Sequence, residues 1–476
     1  MARIALVNPQ IATSTWRAPI MRDWNDATIR HGLAALSACL KAKGHAVFLI
    51  DLRCLSGWEE YEEVLRRTRP DCVGVTAHTC EHDLAVRSCE LAKKVSRDIL
   101  TMVGGIQATM FPNAFLETGS VDYALKGEGE ISFPKWAESP HSFPAVFQGE
   151  LPDLDQMPFA DRTLWEDYGS RIQYPCFGRF LPVPIVDIVA QRGCPWQCKF
   201  CCGPGEQNLY VKTVGGRVFP AVRSRGVKGV MEELSDLYDR YRFKGIVFHD
   251  DQFIIRPKWA EEFSAAMHEW GFVARKVKFW CAIRADMVIR YERVVRELRG
   301  AGLEILSIGF ESFSDRMLKW MNKGTTRAQN IEAARIAKSL GIKLYGNVIL
   351  GMPYEDGKWH VEDDLESLAA LDGIVKPEIC AMSFFTPIPG SLFYDWCAAN
   401  GLMVSDAFAL TGQRGVGTAR LRGVDYDFLD GLLAKRRRVP SGAGERVRNT
   451  LVNLGLIGQA RRIKYALQRF AGGAPG

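Results

Sequence analysis

Residues 184–204 read "PIVDIVAQRGCPWQCKFCCGP", an apolar run that leads straight into four cysteines within nine residues. The apolar run has the length and composition of a buried strand. Cys194, Cys198 and Cys201 are spaced by three and then two residues, and Cys202 follows at once. Thiolates this close on a loop are ligands for zinc or for an iron–sulfur cluster. Zinc asks for a fourth donor, and Cys202 is too close to Cys201 to serve well. Three thiolates instead fit a 4Fe–4S cluster with one iron left open. The other cysteines of the 13 in the chain stand alone in apolar stretches and read as small buried residues, not as a disulfide framework.

Downstream, a strand–helix unit repeats. Strands are expected at 245–253, 277–287, 303–312, 343–353 and 378–391, and helices follow the first four of them. With the strand before Cys194 this makes six units, the pattern of a parallel α/β barrel whose polar residues gather at the carboxyl ends of the strands. Upstream, shorter strands at 3–9, 46–52, 71–78, 99–105 and 121–130 alternate with helices, which predicts a doubly wound, Rossmann-like parallel sheet. Its ligand edge carries Pro9, Asp51, Thr76–His78, Gly104–Gly105 and Gly127–Gly129. Residues 149–184 are rich in Pro, Gly and Asp and read as an ordered connector.

The cysteine spacing is the signature of the radical S-adenosylmethionine superfamily, and the chain resembles that superfamily over residues 185–400 as an incomplete (β/α)6 barrel. The stretches "VGGIQATMFPNAFLE" and "VDYALKGEGEISF" resemble the cobalamin-binding domain that precedes many such enzymes, a match over roughly residues 1–135. The resemblance implies domains at 1–148 and 185–400, a linker at 149–184 and a helical C-terminal region at 401–476. It implies three cofactors: a 4Fe–4S cluster on Cys194, Cys198 and Cys201, S-adenosylmethionine, and cobalamin.

By the same resemblance Asp250 and Asp251 are candidates for the methionyl amine, and Arg284, ending the third strand, for the carboxylate or a substrate. Glu311 and Ser312 are candidates for the ribose or methionyl group, Gly351 with Pro353 for the adenine, and Phe200 for a place beside adenine and cluster. The "NKGTT" stretch at 322–326 is typical of the cobalamin-linked subgroup. Tyr345, Asn347, Phe384 and Thr386 are candidate substrate contacts, with core packing as the equal alternative for the aromatics. Asp51, Arg53, Thr76, Gly104, Gly105, Gly127, Glu128 and Gly129 are candidates for cobalamin. Many cobalamin domains carry Asp-x-His-x-x-Gly, whose histidine binds cobalt. Here "DLRCLSG" (51–57) puts Arg53 at the histidine and Ser56 at the glycine, so no protein histidine ligand to cobalt is expected.

Most characterised relatives of this kind are methyltransferases. The resemblance therefore implies methylation of an unactivated carbon of a small-molecule or lipid-like substrate, using methylcobalamin and a 5′-deoxyadenosyl radical. An electron donor such as flavodoxin or ferredoxin is the expected partner. Ring formation or rearrangement without methyl transfer is the second reading, and a non-catalytic cobalamin or redox sensor the third. The net charge of +6 is too mild to point to nucleic acid. No apolar run reaches membrane-spanning length and no signal-peptide layout opens the chain, so a cytoplasmic place is expected. Between Lys435 and Arg469 ten Lys and Arg stand against one acid, with apolar residues at near-helical spacing. That tail is a docked helix with a basic outer face, or a peripheral contact with an anionic membrane through 435–470.

Overall fold

The computed structural model describes residues 1–9, 29–55, 57–168, 180–203, 212–214, 217–219, 222–404 and 420–437. Ser56 and nearly all of the basic tail lie outside the described residues. The first sheet has six parallel strands: β1 (Arg3–Asn8), β2 (Ala46–Asp51), β3 (Cys72–Thr76), β4 (Leu100–Gly104), β5 (Tyr123–Lys126) and β6 (Val146–Gln148), in the order β2-β1-β3-β4-β5-β6. β1 holds Ile4 to Val7 at zero exposure, as expected for a strand covered on both faces. Helix α1 (His31–Ala42) covers one face, and α2 (Trp58–Thr68) and α3 (His82–Val95) cover the other. The chain turns from one face to the other between β1 and β3, which opens a crevice at the carboxyl ends of those strands. The short β6 was absent from the sequence reading; its three residues pair parallel with β5 and close the sheet edge.

The second sheet is also parallel and runs in sequence order: β7 (Ile185–Ile188), β8 (Gly245–Phe248), β9 (Lys278–Ala282), β10 (Leu303–Glu311), β11 (Lys343–Leu350) and β12 (Ile379–Phe384). All six expected strands form. Side chains alternate: Val186 and Ile188 join the large core under the helices, while Ile185, Val247, Ile305 and Tyr345 fill the inner side with Leu181. Successive strands are linked by helical crossovers, and the sheet does not close, since β7 and β12 do not pair.

The connector carries more structure than its composition announced, a 3₁₀ helix over Arg162–Tyr168. It straps the two sheets together. Asp161 accepts from Ser37 of α1 at 2.6 Å and pairs with Lys41 at 2.7 Å, while Asp155 accepts the Gly226 amide at 2.6 Å on the barrel side. Arg162 covers the open edge of β7 by donating to the Asp187 carbonyl and, at 3.1 Å, to its carboxylate. No helix among the described residues is long and apolar enough to cross a membrane.

Candidate functional site

The cysteine loop leaves β7 at the carboxyl end of the barrel. Cys198 is buried, Cys194 half-buried and Cys201 exposed. The loop is held by backbone on both sides: the Lys199 amide bonds the Met321 carbonyl at 3.0 Å, and the Phe393 amide bonds the Lys199 carbonyl at 2.9 Å. Asn322 donates to the Gln197 carbonyl at 2.7 Å, so the 322–326 stretch acts as a clamp on the cysteines. Cys202 donates a hydrogen bond to the Cys201 sulfur, and with the Gly203 amide at 3.3 Å this lowers the Cys201 pKa to about 7. Burial pushes the Cys194 thiol up to about 11 and raises Cys198 as well. Three thiols of one loop, within electrostatic reach of each other, fit a cluster that takes three thiolates.

Around the loop, strand alternation sorts the expected contacts. Asp251 is exposed beside Cys194 and accepts the Gly193 amide. Its neighbour Asp250 points the other way: it is buried, accepts the Ala190 amide at 2.8 Å, and is pushed up to about 7 by that burial. Glu311 sits at a bulge of β10 with φ +61 and pairs with Lys323 at 3.0 Å. Lys323 in turn lies 5.8 Å from the Phe200 ring centroid. Ser312 is buried behind the sheet against Ser367 at 3.1 Å. Gly351 donates its amide to Asp364 at 2.8 Å, and a Cβ there would meet Leu429 at 3.0 Å, so it packs the C-terminal helix. Pro353 bridges Trp359. Arg284 is brought to the cluster loop and fully engaged there. It donates to Asp286 at 2.9 Å and to the Lys323 carbonyl, approaches Cys198 Sγ at 3.8 Å, and stacks on Trp196 at 4.5 Å. Tyr345 and Asn347 face the barrel interior, the latter bonded to Ser307 at 3.1 Å. Phe384 packs outward on Tyr426, and Thr386 bonds the Phe384 carbonyl at 3.4 Å.

A cavity of about 400 Å³ lies between this loop and the first sheet. Thr76, Gly105, Gly127, Glu128 and Gly129 line it from one side, and Gly193, Gly203 and Asp251 from the other; Asp51, Arg53 and Gly104 do not. Gly105 has φ +88, and a Cβ on it would stand 2.9 Å from the Ala77 carbonyl, so only glycine fits. A Cβ on Gly104 would meet nothing closer than 3.9 Å, which leaves that edge open. Gln107 is 1% exposed, yet neither amide atom finds a hydrogen bond among the described residues, and the same holds for Asn8 Nδ2. Unmet amide donors and acceptors beside glycine edges fit a large cofactor fringed with amides, and cobalamin is such a group. Arg53 turns back on Asp51, its Nε lying 2.8 Å and 3.0 Å from the two carboxylate oxygens, and Trp165 also donates to Asp51 at 3.3 Å. Glu128 faces Arg192 at 2.6 Å and also pairs with Arg223, while Glu130 takes Arg192 at 2.7 Å. The "GEGE" glutamates thus bind the arginine that stands two residues before Cys194.

Sequence reasoning missed a cluster at the β1/β3 crevice, where Arg30 contacts His78 Nε2 at 2.9 Å, Asn8 at 3.2 Å, and Glu81. It also missed Arg192. His78 stands among the expected strand-end residues, and strand-end position could have flagged Asn8; nothing local marks Arg30, Glu81 or Arg192 as partners.

Residues 188–368 match the radical SAM superfamily model and residues 26–137 match the B12 binding domain model. An uncharacterized methyltransferase of Pyrococcus horikoshii is 26% identical over 393 residues, covering 79% of either chain. The anaerobic magnesium-protoporphyrin IX monomethyl ester cyclase of Rubrivivax gelatinosus is 25% identical over 427 residues, covering 82% of this chain and 69% of that one. Among solved structures, the radical S-adenosylmethionine methyltransferase TsrM of Kitasatospora setae, with tryptophan and a SAM analogue bound, superposes with a TM-score of 0.61 at 16% identity, covering 84% of this chain and 77% of that one.

Proposed function

We propose that this chain, which matches the radical SAM superfamily and B12 binding domain models, works as a cobalamin-dependent radical S-adenosylmethionine methyltransferase and transfers a methyl group to an unactivated carbon of a small-molecule or lipid-like substrate. The observation that carries the reading is the cavity: Gly193 and Gly203, which bracket the cysteine loop, on one wall, a glycine-edged crevice on the other, and ion pairs holding the two walls together. When bound, the cluster supplies an electron to open the sulfonium of S-adenosylmethionine, and cobalamin supplies the methyl group.

The chain's own residues supply position and shielding. Cys194, Cys198 and Cys201 hold the cluster and leave one iron open. Asp251, exposed beside that loop, takes the methionyl amine, and Phe200 lies beside the adenine. Glu311 and Lys323 set the charge next to the thiolates. Arg284, lodged between Cys198, Trp196 and Asp286, keeps the loop in shape. Gly105, Gly127 and Gly129 let the backbone approach the corrin. Arg192 fixes the distance between the two walls. A reduced flavodoxin or ferredoxin is the electron donor.

The test is the anaerobically reconstituted enzyme with methyl-deuterated S-adenosylmethionine and candidate substrates. The expected product carries the labelled methyl and forms together with 5′-deoxyadenosine and S-adenosylhomocysteine. A product closed into a ring or rearranged with no methyl added would overturn methyl transfer in favour of the reaction class of the cyclase relative. An intact cluster that fails to cleave S-adenosylmethionine would overturn catalysis altogether.

A further inference from the structure

Away from the cysteines, two histidines and an aspartate converge at the seam between the sheets. Asp187 is the third residue of β7, level with Val247 of β8, and His249 follows β8 directly. Strand alternation turns both toward the barrel interior. His31 opens α1 and comes from the other sheet's layer. His31 Nε2 stands 3.5 Å from Asp187 Oδ2, and His249 Nε2 stands 3.2 Å from the same oxygen. One ligand atom from each of the three residues lies within 4.8 Å of the others.

Two observations separate this group from an ordinary hydrogen-bonded histidine pair. His31 Nε2 is buried, and its approach to Asp187 Oδ2 is long, at 3.5 Å, and outside good hydrogen-bond geometry. The second oxygen of Asp187 is fixed by Arg162 at 3.1 Å, and Arg162 also faces Glu233 at 3.8 Å. A carboxylate oriented from behind, with its other oxygen turned toward two imidazole nitrogens, has the layout of a metal ligand and its supporting shell.

We propose that His31, Asp187 and His249 form a mononuclear site for a divalent transition metal of the zinc type, with its fourth position open to the cavity. Two imidazoles and one carboxylate are the donor set of three-ligand zinc sites. Metal–ligand bonds of about 2.0–2.1 Å at tetrahedral angles separate ligand atoms by about 3.3 Å, and the two measured edges bracket that value. Protonation agrees with binding. Burial lowers the His31 pKa, which keeps its lone pair free. His31 and His249 line the cavity, so water or an oxygen or nitrogen donor of the substrate would complete the coordination. The site is separate from the cysteine loop. It takes one ligand from the first sheet's helix layer and two from the barrel, so the metal would also pin the seam.

The test uses the holoenzyme, purified without oxygen and loaded with cluster and cobalamin. It is incubated with zinc, washed with a mild chelator, and measured for zinc, iron and cobalt. The expected result is about one retained zinc per chain alongside about four irons, and loss of that zinc in His249→Ala and in His31→Ala with iron unchanged. Wild-type protein that retains less than about a tenth of an equivalent of zinc, or variants that retain as much as wild type, would overturn the site. Should either variant lose iron through misfolding, X-ray absorption at the zinc edge of the wild type decides alone. A shell of nitrogen and oxygen supports the site; a sulfur shell puts the zinc on the cysteines and refutes it.

Discussion

At the carboxyl end of the first sheet the chain makes room by leaving side chains out. Gly105 lines the cavity and holds a backbone that a Cβ would block, and Gln107 keeps two buried amide atoms without partners among the described residues. At the carboxyl end of the barrel it does the reverse. Arg284, Lys323, Glu311 and Asn322 are all engaged, with each other or with the cysteine loop. The difference follows from the ligands. A macrocycle needs space and amide partners, and its edge contacts are many and weak. A cluster needs its thiolates fixed and a charge environment that tolerates them. The first kind of site is therefore sensitive to added bulk, the second to lost groups.

The largest expected effect is on the side of lost groups. Cys201→Ala should abolish the cluster, read as loss of iron and of 5′-deoxyadenosine formation. Cys202→Ala should keep both, which separates ligand from neighbour. It also removes the hydrogen bond that holds Cys201 near a pKa of about 7, so the pH midpoint for cluster assembly should move upward. An unchanged midpoint would mean that the Gly203 amide alone sets this thiol. On the side of added bulk, Gly105→Ala forces a positive φ on a side chain that meets the Ala77 carbonyl at 2.9 Å. Strain of about 1–3 kcal/mol at the crevice should weaken cobalamin retention roughly tenfold or more, measured as cobalt per chain. Iron content should not change; a parallel loss of iron would show that the two ends do not fail independently.

Arg192 joins the two ends and is the next test. It is held by Glu128 and Glu130, and those carboxylates raise its pKa against the cost of burial. Arg192→Ala should leave iron and cobalt in place but loosen the spacing between the walls. The expected signature is uncoupling: several-fold more 5′-deoxyadenosine per methylated product, with Arg192→Lys recovering part of the coupling. A variant that loses product and 5′-deoxyadenosine equally would assign Arg192 to folding alone.

Legibility followed the range of the interactions. The strands were readable because alternating apolar runs and glycine breaks are local, and the cysteine loop because its three candidate ligands sit within eight residues of each other. Which of two adjacent polar residues faces the site was not readable. Asp250 and Asp251 sit on a strand end and Glu311 follows a bulge, and a one-residue step there flips a side chain to the other face. Glu311 and Ser312 read as equals; the bulge after Gly309 sends one toward Lys323 and the other toward Ser367. The strap from Asp161 and Arg162, the Arg30–Glu81 pair and the Arg192 latch join residues 25 to 124 positions apart or cross between sheets, and no local pattern encodes them.

The smallest expected effect concerns acid–base balance, and it has opposite signs in the two halves. In the barrel, burial pushes Asp250 and Asp364 up to about 7 from 3.8. Between those values the folded form keeps a proton that the unfolded chain has lost, so each group erodes barrel stability as pH rises from about 4 to 7, by at most about 1.4 kcal/mol per pH unit. In the first half, burial would raise Glu81, but Arg30 and His78 outweigh it and hold its pKa below 4.5. Its contribution is present above pH 4.5 and fades as pH falls through the folded-state value. Hydrogen exchange read separately for β8 and β3 should therefore show barrel protection declining from pH 5 to 7 while β3 protection holds. Asp250→Asn keeps an acceptor for the Ala190 amide but cannot ionise, so it should flatten the barrel's decline and leave β3 unchanged. Equal pH slopes for β8 in wild type and variant would mean that Asp250 is ionised in the folded barrel, its charge carried by the Ala190 and Gln191 donors that surround it.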